Sequence, residues 1–456
     1  MLTYQLKKQP GLPLYEALYR CIREDIRTGR LRPGEQLPSK RSLCANLKVS
    51  KITVENAYNQ LLAEGYISSR EKVGYFVEAV QQLPPQTPKA SQTPPPEGKL
   101  LDLSGNGSPR FPFTVWSRLQ RQVLLDYGQK LLLPLPNQGI GELRQAIAWH
   151  LGAFRGLEVN PEDIFVGAGT DFLYNLLVQL LGRDKCYGVE EPGYSKIYDI
   201  YRCAGARCTL LSMDKSGVLP DAATQVLHIS PAHHFPTGLV TPLSRRRELL
   251  RWASAEDGRY IIEDDYDSEF RFAGRPLPTL KAMDTAGRVI YMNSFTKSLA
   301  PSIRISYMIL PSSLMEALQT RLGFYAGTVP SFEQYTLARF IREGYFEKHI
   351  NRMRKFYKAR RDTLLELVNQ CPRRLQVLEE GAGLHFLLRV DTPLTDPELA
   401  AACAQKGLKV RCLSQYYRES PPENCRGYLV INYSGLGDAA SSRSGTAARS
   451  FPKKNC

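Results

Sequence analysis

A run of prolines divides this 456-residue chain into two parts of unequal length. Within residues 79–100 the sequence reads Q-Q-L-P-P-Q-T-P-K-A-S-Q-T-P-P-P-E-G. Prolines favour the extended polyproline II conformation, and a segment with so few apolar residues cannot bury a core. We therefore predict a Pro-rich linker over residues 79–100, a small module at residues 1–78 and a larger domain from residue 101 onward.

The composition is that of a globular protein with an excess of positive charge. The 60 Lys and Arg residues outnumber the 45 Asp and Glu residues, a formal charge of +15 that suits a polyanionic partner. The ten cysteines have neither a C-x-x-C pair nor zinc-site spacing, which favours free thiols in a reducing compartment. No apolar run reaches the roughly 18 residues of a membrane span, and the first ten residues lack the apolar core of a signal peptide. We therefore expect a cytoplasmic protein with no membrane segment.

The first 78 residues have the pattern of three helices and a hairpin. Apolar residues recur at helical spacing over residues 14–27, and Ser39 and Ser50 are suitable N-caps for two further helices. Residues 66–77 alternate in polarity, as a short hairpin does. This is the plan of a winged helix-turn-helix, whose third helix, predicted over residues 51–64, would enter the major groove of DNA by its N-terminal end.

The segment G-R-L-R-P-G-E-Q-L-P-S-K-R-S-L-C-A-N-L-K-V-S-K-I-T-V-E-N-A-Y-N-Q-L-L-A-E-G-Y resembles the GntR-family DNA-binding domain over nearly its whole length. That family usually has an arginine where this chain has Lys51. A bidentate contact to a base would then be replaced by the single charge of an ammonium group. The module's 13 Lys and Arg against 8 Asp and Glu suit phosphate contacts, although a solvated basic face has the same composition. The resemblance implies that double-stranded operator DNA is the partner. The residues that it places against DNA are Ser39, Lys40, Arg41, Ser50, Lys51 and Thr53, with Arg70 and Lys72 on the wing.

Beyond the linker, short apolar segments alternate with helical patterns. We predict strands at residues 164–167, 186–189, 226–229, 260–263 and 289–292. This alternation is typical of an α/β domain with a mainly parallel sheet. Functional residues are then expected at strand ends and helix starts.

The stretch S-F-T-K-S-L-A-P-S-I-R-I-S-Y, residues 294–307, follows the last of these strands. A lysine shielded from water loses its proton more easily and can form a Schiff base with an aldehyde. Pyridoxal 5'-phosphate (PLP) is the commonest such aldehyde, and its phosphate needs hydroxyls and an arginine. A basic surface loop would have a similar composition. The residues offered for PLP are Lys297 for the Schiff base and Ser294, Thr296 and Arg304 for the phosphate.

Other segments supply further groups that PLP requires. Residues 261–266, I-I-E-D-D-Y, end an apolar strand with carboxylates, and PLP acts as an electron sink only when a carboxylate keeps its ring nitrogen protonated. The small-residue turn at residues 167–171 opens a helix and so suits a phosphate. Tyr194 follows a strand, where its ring can stack on a flat cofactor. The histidines at positions 233 and 234 lie in a turn without the company expected of zinc ligands.

Together these segments resemble fold type I aminotransferases, and more closely the MocR/GabR-type regulators, which join a GntR-type module to that fold. The resemblance covers about residues 101–435 and rests on P-N-Q-G-I-G-E-L-R-Q-A-I-A, E-E-P-G-Y, P-A-H-H-F-P-T-G, I-I-E-D-D-Y-D-S-E-F-R-F-A-G-R-P-L-P and S-F-T-K-S-L-A-P-S-I-R. It implies PLP as the cofactor. It assigns Lys297 to the Schiff base, Asp264 (alternatively Asp265) to the pyridinium nitrogen, Tyr266 to the ring oxygen, Tyr194 to the ring face, and Gly169, Thr170, Ser294, Thr296 and Arg304 to the phosphate.

Three departures from the family pattern bear on function. Phe235 stands where aminotransferases have Asn; MocR-type regulators also have Phe there, but His234 replaces their preceding Gln. Val430 stands where relatives commonly carry an arginine for the ligand carboxylate, and Lys196 or Arg411 are candidates to replace it. Residues 436–456 form a polar tail in place of an expected last helix, either a genuine variant or a reading-frame artefact.

We therefore expect a homodimeric, PLP-binding transcription regulator that senses PLP, an amine or an amino acid through aldimine formation at Lys297. Transamination is expected to be absent or slow. A working aminotransferase with a DNA-binding module is the alternative, and a scaffold that no longer binds PLP is a third. Because Val430 lacks the planar fork that binds a carboxylate, we expect weak condensation with amino acids and favour PLP, or an amine without a carboxylate, as the signal.

Overall fold

The structure is a computed structural model of the chain. Lys72, residues 80–100 of the predicted linker and residues 436–456 of the predicted tail lie outside the described residues. The chain divides into two compact units, residues 1–96 and residues 97–456. The described residues are 4, 13–71, 73–79, 101–105, 110–272, 277–371, 375–379, 381 and 383–435.

The first unit contains the three predicted helices and the predicted hairpin. Ser39 Oγ accepts a hydrogen bond from the Ser42 amide at 3.1 Å, and Ser50 Oγ accepts one from the Thr53 amide at 3.2 Å. Both serines therefore cap helices, as the sequence predicts. A short strand before the second helix joins the hairpin as a third strand, in the antiparallel order β1-β3-β2. The elements are α1 (Leu14–Arg27), β1 (Gln36–Leu37), α2 (Lys40–Leu47), α3 (Lys51–Ala63), β2 (Ile67–Arg70) and β3 (Gly74–Val77).

The core of this unit lies between α1 and α3. Leu18 and Ile22 of α1 are buried together with Val54, Tyr58 and Leu61 of α3. The apolar face of α3 is thus fixed against α1. Its first turn, which contains exposed residues, is left on the outside.

In its described residues, the second unit combines ten α-helices with two larger sheets and one small strand pair. Its helices are α4 (Phe113–Tyr127), α5 (Gly141–Arg155), α6 (Thr170–Leu181), α7 (Ser195–Cys203), α8 (Leu243–Ala255), α9 (Leu280–Met283), α10 (Ser312–Leu322), α11 (Ser331–Arg342), α12 (Tyr345–Asn369) and α13 (Asp396–Gln405). Its strands are β4 (Leu101–Asp102), β5 (Ile164–Gly167), β6 (Cys186–Glu191), β7 (Arg207–Asp214), β8 (Gly217–Val218), β9 (Val226–Ile229), β10 (Tyr260–Asp264), β11 (Val289–Ser294), β12 (Ser306–Ile309), β13 (Leu375–Leu378), β14 (His385–Val390), β15 (Leu408–Lys409), β16 (Arg411–Cys412) and β17 (Tyr428–Asn432).

The large sheet has eight strands in the order β5-β12-β11-β10-β9-β6-β7-β8. The pairs β11–β10, β10–β9, β9–β6 and β6–β7 are parallel, whereas β12 runs antiparallel to both of its neighbours. The prediction of a mainly parallel sheet is confirmed. Five of the strands, β5, β6, β9, β10 and β11, are those predicted from the sequence, and their carboxyl ends meet at one edge of the sheet.

Helices cover both faces of this sheet. Successive side chains along its strands point alternately into two apolar cores, one on each face. Ile262 and Met292 belong to the same core as Leu177 of α6. Their neighbours Ile261 and Val289 belong to another core, with Leu249 of α8. Side chains at the strand ends are consequently held by packing on both sides.

A smaller antiparallel sheet, in the order β13-β14-β17-β16, packs with α12 and α13. Its core includes Phe386 of β14, Ile431 of β17 and Met353 of α12. The pair β4–β15 is parallel. Among the described residues, no helix is both long enough and apolar enough to cross a membrane.

Candidate cofactor site and DNA-binding surface

Three strands of the large sheet end together at the predicted phosphate site. In the register of the sheet, Ser306 at the start of β12 lies opposite both Gly167 at the end of β5 and Ser294 at the end of β11. The Phe295 amide donates to the Ile305 carbonyl at 2.9 Å, which places Thr296 and Arg304 at the same end of the strand pair. The predicted phosphate residues from separate segments therefore come together.

Gly169 and Arg304 are in direct contact at this point. Gly169 has a φ of +92°, and a Cβ there would lie 2.3 Å from Arg304 Nη2. Glycine is therefore required both by the backbone and by the guanidinium. Thr170 is the first residue of α6, and Asp171 Oδ2 accepts from Arg304 Nη2 at 3.3 Å and from Lys196 Nζ at 2.6 Å. A helix N-terminus beside an arginine can hold a phosphate through its free amides and the guanidinium fork.

Asp264 lies at the end of β10, buried between α6 and β9. Its Oδ2 accepts from the Tyr174 hydroxyl at 2.5 Å and lies 3.6 Å from His228 Nε2. Its Oδ1 is buried without a hydrogen-bond partner among the described residues. A buried carboxylate oxygen without a donor costs free energy, and a protonated ring nitrogen would supply that donor.

Asp265, the alternative partner for the ring nitrogen, has a different environment. Its Oδ2 lies 2.8 Å from Arg155 Nη2 and accepts from the Tyr291 hydroxyl at 2.7 Å. Successive residues of a strand point to opposite faces, so Asp264 and Asp265 face different surroundings. The ion pair gives Asp265 an arginine partner that Asp264 lacks, whereas the Oδ1 atoms of both are buried without a hydrogen-bond partner among the described residues. The choice of Asp264 for the ring nitrogen stays a prediction, supported by the ion pair of Asp265.

Lys297 follows β11 by three residues, in the turn between β11 and β12. The residue is partly exposed, whereas its ammonium group is largely removed from water. Burial lowers the pKa of Lys297 below its usual value, and the Asp267 carboxylate opposes that shift. A larger share of neutral amine makes this lysine a better nucleophile toward an aldehyde.

Half-buried Tyr266 lies beside a buried polar cluster of His233, Asp267 and His385 that sequence reasoning missed. His233 Nδ1 lies 2.8 Å from Asp267 Oδ2 and 3.2 Å from the Tyr266 hydroxyl, and the His233 and His385 rings are 4.5 Å apart. His233, Asp267 and His385 bring potential ligand atoms within 4.8 Å of one another, which corrects our expectation that His233 has no such company. The residues come from three distant segments, so no local spacing could indicate the cluster.

The electrostatics of this cluster keep its phenol and one imidazole neutral. Burial raises the pKa of Tyr266 well above its usual value, so its hydroxyl stays protonated and can donate to a ring oxygen. Burial lowers the pKa of His385 well below its usual value, and the charges of His233 and Lys297 lower it further. Lys297 therefore interacts electrostatically with both His385 and Asp267 of this cluster.

Tyr194 lies next to a group of aromatic rings contributed by other segments of the second unit. Tyr194 begins α7 as its N-cap and is 50% exposed, with its ring edge-on to Phe235 at 6.3 Å. Phe235 also contacts the rings of His385 and Tyr416, each at 5.2 Å. Half of the Tyr194 side chain is exposed, and its stacking on the cofactor stays a prediction. Phe235 gives this side an apolar character.

Val430 lies in an apolar cluster next to those rings. It is 2% exposed and packs with Leu387 and Leu413, and Phe235 and Tyr416 pack against the same cluster. Arg411 is directly opposite Val430 in the β16–β17 pair and is exposed. Two residues are candidates to replace the missing arginine. Lys196 is already paired with Asp171, whereas Arg411 is on the strand next to Val430.

The first unit presents most of its predicted DNA contacts on the outside. Arg41 and Lys51 are exposed, and Arg70 is exposed with its guanidinium 4.5 Å from the Phe76 ring centre. Lys40 differs, since its Nζ lies 2.8 Å from Glu55 Oε1 and its hydrogen bond to that carboxylate raises the pKa of Lys40. Lys40 therefore ties α2 to α3, and its role in DNA contact stays a prediction.

Ser39, Ser50 and Thr53 have their hydroxyls engaged in or near helix caps. Ser39 and Ser50 cap their helices, and the Ser50 and Thr53 hydroxyls lie 2.8 Å apart. These short side chains hold the first turns of α2 and α3 in place. Any contact that they make with DNA phosphates must share the same oxygen atoms.

Comparison with known proteins identifies the family to which each unit is similar. Residues 14–77 match the family model of bacterial regulatory proteins of the gntR family, and residues 98–433 match that of aminotransferase class I and II. The chain is 38% identical to the HTH-type transcriptional regulator YdeL of Bacillus subtilis, with 96% of each chain covered. It is 33% identical to the HTH-type pyridoxine biosynthesis transcriptional regulator PdxR of Corynebacterium glutamicum (88% of each) and 32% identical to the probable rhizopine catabolism regulatory protein MocR of Rhizobium meliloti (94% and 92%).

A solved structure of Pyrococcus horikoshii kynurenine aminotransferase superposes with a TM-score of 0.66 at 23% identity, covering 77% of this chain and 90% of that one. The second unit thus has the aminotransferase fold. The chain belongs to the MocR-type transcriptional regulators, in which a GntR-type helix-turn-helix precedes an aminotransferase class I and II domain. A domain of this class implies PLP as cofactor. The free Oδ1 of Asp264 and the contact between Gly169 and Arg304 fit that group.

Replacing Asp264 with asparagine is expected to weaken PLP binding and shift the visible absorption band of the bound coenzyme. Loss of a charge-assisted hydrogen bond of about 1.5–3 kcal/mol corresponds to roughly 10- to 150-fold weaker binding. Equilibrium titration followed by absorbance would measure both effects. Asp265→Asn is the matched control, and we expect it to leave the band in place; a shift in that variant alone would make Asp265 the partner of the ring nitrogen.

Proposed function

We propose that this protein is a PLP-dependent transcription regulator in which the aminotransferase-like domain senses PLP, or an amine without a carboxylate, and alters operator binding by the helix-turn-helix module. The observation that carries the choice of signal is the apolar cluster around Val430. A carboxylate placed against these side chains would lose water without gaining a charged partner, which is costly. The name of PdxR, a pyridoxine biosynthesis regulator, supports a link to vitamin B6.

The proposed roles of the cofactor residues follow from their positions. Lys297 provides the amine that holds the coenzyme and yields to an incoming effector amine, and PLP supplies an aldehyde and an electron sink when bound. Asp264 keeps the ring nitrogen protonated, and Tyr266, protonated and hydrogen-bonded near His233, orients the ring oxygen. Gly169, Thr170, Ser294, Thr296 and Arg304 hold the phosphate, with Arg304 leaving Asp171 to do so.

We also infer a homodimer, supported by large apolar side chains exposed on the second unit. Several belong to α4 and α5 or to the turn after α4, and water-exposed apolar side chains in such numbers favour burial against another chain. Two linked DNA-binding modules would then read one operator with higher affinity than a single module. Besides Tyr194 and Leu219, the exposed large apolar side chains of this unit include Phe113, Leu124, Leu125, Leu132, Leu133, Trp149 and Phe324.

The effector is tested by adding PLP, 2-phenylethylamine, GABA, alanine or taurine to the full chain. The absorbance of the bound coenzyme and the affinity for operator DNA are recorded together for each compound. We expect PLP or 2-phenylethylamine to change operator affinity. GABA and alanine carry a carboxylate and taurine carries a sulfonate, so all three would place an anion against the apolar cluster, and we expect them to change neither quantity at micromolar concentration. Repeated turnover of an amino acid would instead favour a working aminotransferase with a DNA-binding module.

Two variants sharpen this experiment. Arg411→Ala removes the arginine that lies opposite Val430, and Lys196→Ala removes the lysine paired with Asp171. If an amino acid acts on the wild type at micromolar concentration, the argument from Val430 is wrong. Loss of that response in one of the two variants would then identify the side chain that carries the carboxylate.

A further inference from the structure

Helix α3, the helix predicted to enter the major groove, has an apolar side chain on its outer face. Ile52, the second residue of α3, is 68% exposed, whereas Val54, Ala57 and Tyr58 of the same helix are fully buried. In the described part of the first unit, the other large apolar side chain exposed to a similar degree is Val73, between β2 and β3. Single exposed apolar residues are common, so exposure alone assigns no role to Ile52.

The position of Ile52 in α3, rather than its exposure, indicates a role in DNA contact. It lies between Lys51 and Thr53 in the first turn of α3, the end by which such a helix enters the major groove. Asn56 is exposed four residues further along the helix. Side chains four residues apart share a helix face, with Cβ atoms about 5–6 Å apart. The face that approaches DNA therefore presents a branched aliphatic group next to a carboxamide.

These two groups match two features of base edges in the major groove. The apolar feature is the C5-methyl group of thymine, and a carboxamide can make paired hydrogen bonds to N6 and N7 of adenine. We propose that Ile52 packs against a thymine methyl group and that Asn56 binds an adenine edge, so that α3 selects A·T pairs in each half-site. A separation of about 5–6 Å against a rise of about 3.4 Å per base places the two contacts one or two base pairs apart.

This inference rests on the proposed operator binding, and uracil substitution tests it separately. The full chain loaded with PLP first selects its preferred duplex from a random pool. Each thymine of that duplex is then replaced in turn by deoxyuridine, which pairs identically but lacks the methyl group. We expect one thymine per half-site at which the wild type loses about fourfold in affinity, the effect of one buried methyl group. Ile52→Ala should show no loss at that thymine.

The second contact has its own expected result. Asn56→Ala should bind about 5- to 150-fold more weakly and lose its preference for adenine within two base pairs of that thymine. Val73→Ala is the matched control, because it shortens an exposed apolar side chain outside α3 and should keep the wild-type response to uracil. Thermal unfolding of each variant would verify that the exposed substitutions leave the fold intact.

The outcomes separate this contact from the function on which it rests. A selected duplex whose affinity is unchanged by uracil at every position, or an Ile52→Ala variant that keeps the uracil loss, would overturn the thymine contact alone. Failure of the full chain to select any duplex both with and without PLP would overturn operator binding, and the inference with it.

Discussion

Replacing Lys297 with alanine is expected to abolish covalent attachment of PLP and every effect of PLP or amines on operator binding. Burial lowers the pKa of this lysine, so more of its amine is neutral and reactive. The lysine also borders the His233–Asp267–His385 cluster beside Tyr266. We expect the visible band of the bound coenzyme to disappear and borohydride treatment to leave no coenzyme on the protein. Absorbance and peptide mapping by mass spectrometry would measure these losses.

Lys196→Ala is the control for this prediction. Lys196 is another lysine near the predicted phosphate site, but its amine is 2.6 Å from Asp171 Oδ2 and its side chain is 47% exposed. That variant should keep the coenzyme on Lys297. Coenzyme fixed by borohydride to a different lysine in the Lys297→Ala protein would show that the assignment of Lys297 is wrong.

Replacing Arg155 with alanine is expected to lower the free energy of unfolding of the second unit by about 3–5 kcal/mol. The Arg155 and Asp265 side chains are 4% and 1% exposed and lie 2.8 Å apart. Removing the guanidinium leaves the Asp265 carboxylate buried without its charged partner, which is the costly case for a buried ion pair. Denaturant unfolding followed by circular dichroism would measure the loss, resolved into the transitions of the two units.

Arg339→Ala is the matched comparison. Its partner Asp126 is 56% exposed, and an ion pair near the surface contributes at most about 1 kcal/mol. If Arg155→Ala and Arg339→Ala lower the free energy of unfolding equally, the ion pair with Arg155 does not hold Asp265 in place. The argument for preferring Asp264 over Asp265 at the ring nitrogen would then lose its support.

Much of the fold could be predicted because its local patterns are strong. The five predicted strands are short apolar runs. In the first unit, α1 has a clear apolar face, and α2 and α3 begin at serine caps. Strands β7 and β12 were missed for different reasons. β7 lies near the edge of the sheet and is mostly half-buried or exposed, with Leu211 as its one buried residue. β12 follows the Lys297 stretch, where the sequence was interpreted as a turn. The antiparallel insertion of β12 depends on pairing with distant β5, which no local pattern encodes.

The candidate site divides in the same way. Residues carried by contiguous motifs, such as Lys297 and Asp264, could be named from the sequence because each motif is specific. The cluster of His233, Asp267 and His385 could not, since its members meet only when β9, β10 and β14 are assembled. Likewise, the sequence names Arg411 and Val430 separately, and the register of β16 with β17 makes them neighbours.

The most direct test of the account is the affinity of the full chain for its selected operator with and without PLP, in the wild type and in Lys297→Ala. The account predicts that loading the wild type with PLP changes operator affinity by about 5- to 150-fold, the usual range for coupled sites, and that Lys297→Ala binds operator with one affinity under both conditions. Equal affinity of the unloaded and loaded wild type, with PLP binding verified by absorbance, would contradict control of DNA binding by the cofactor domain.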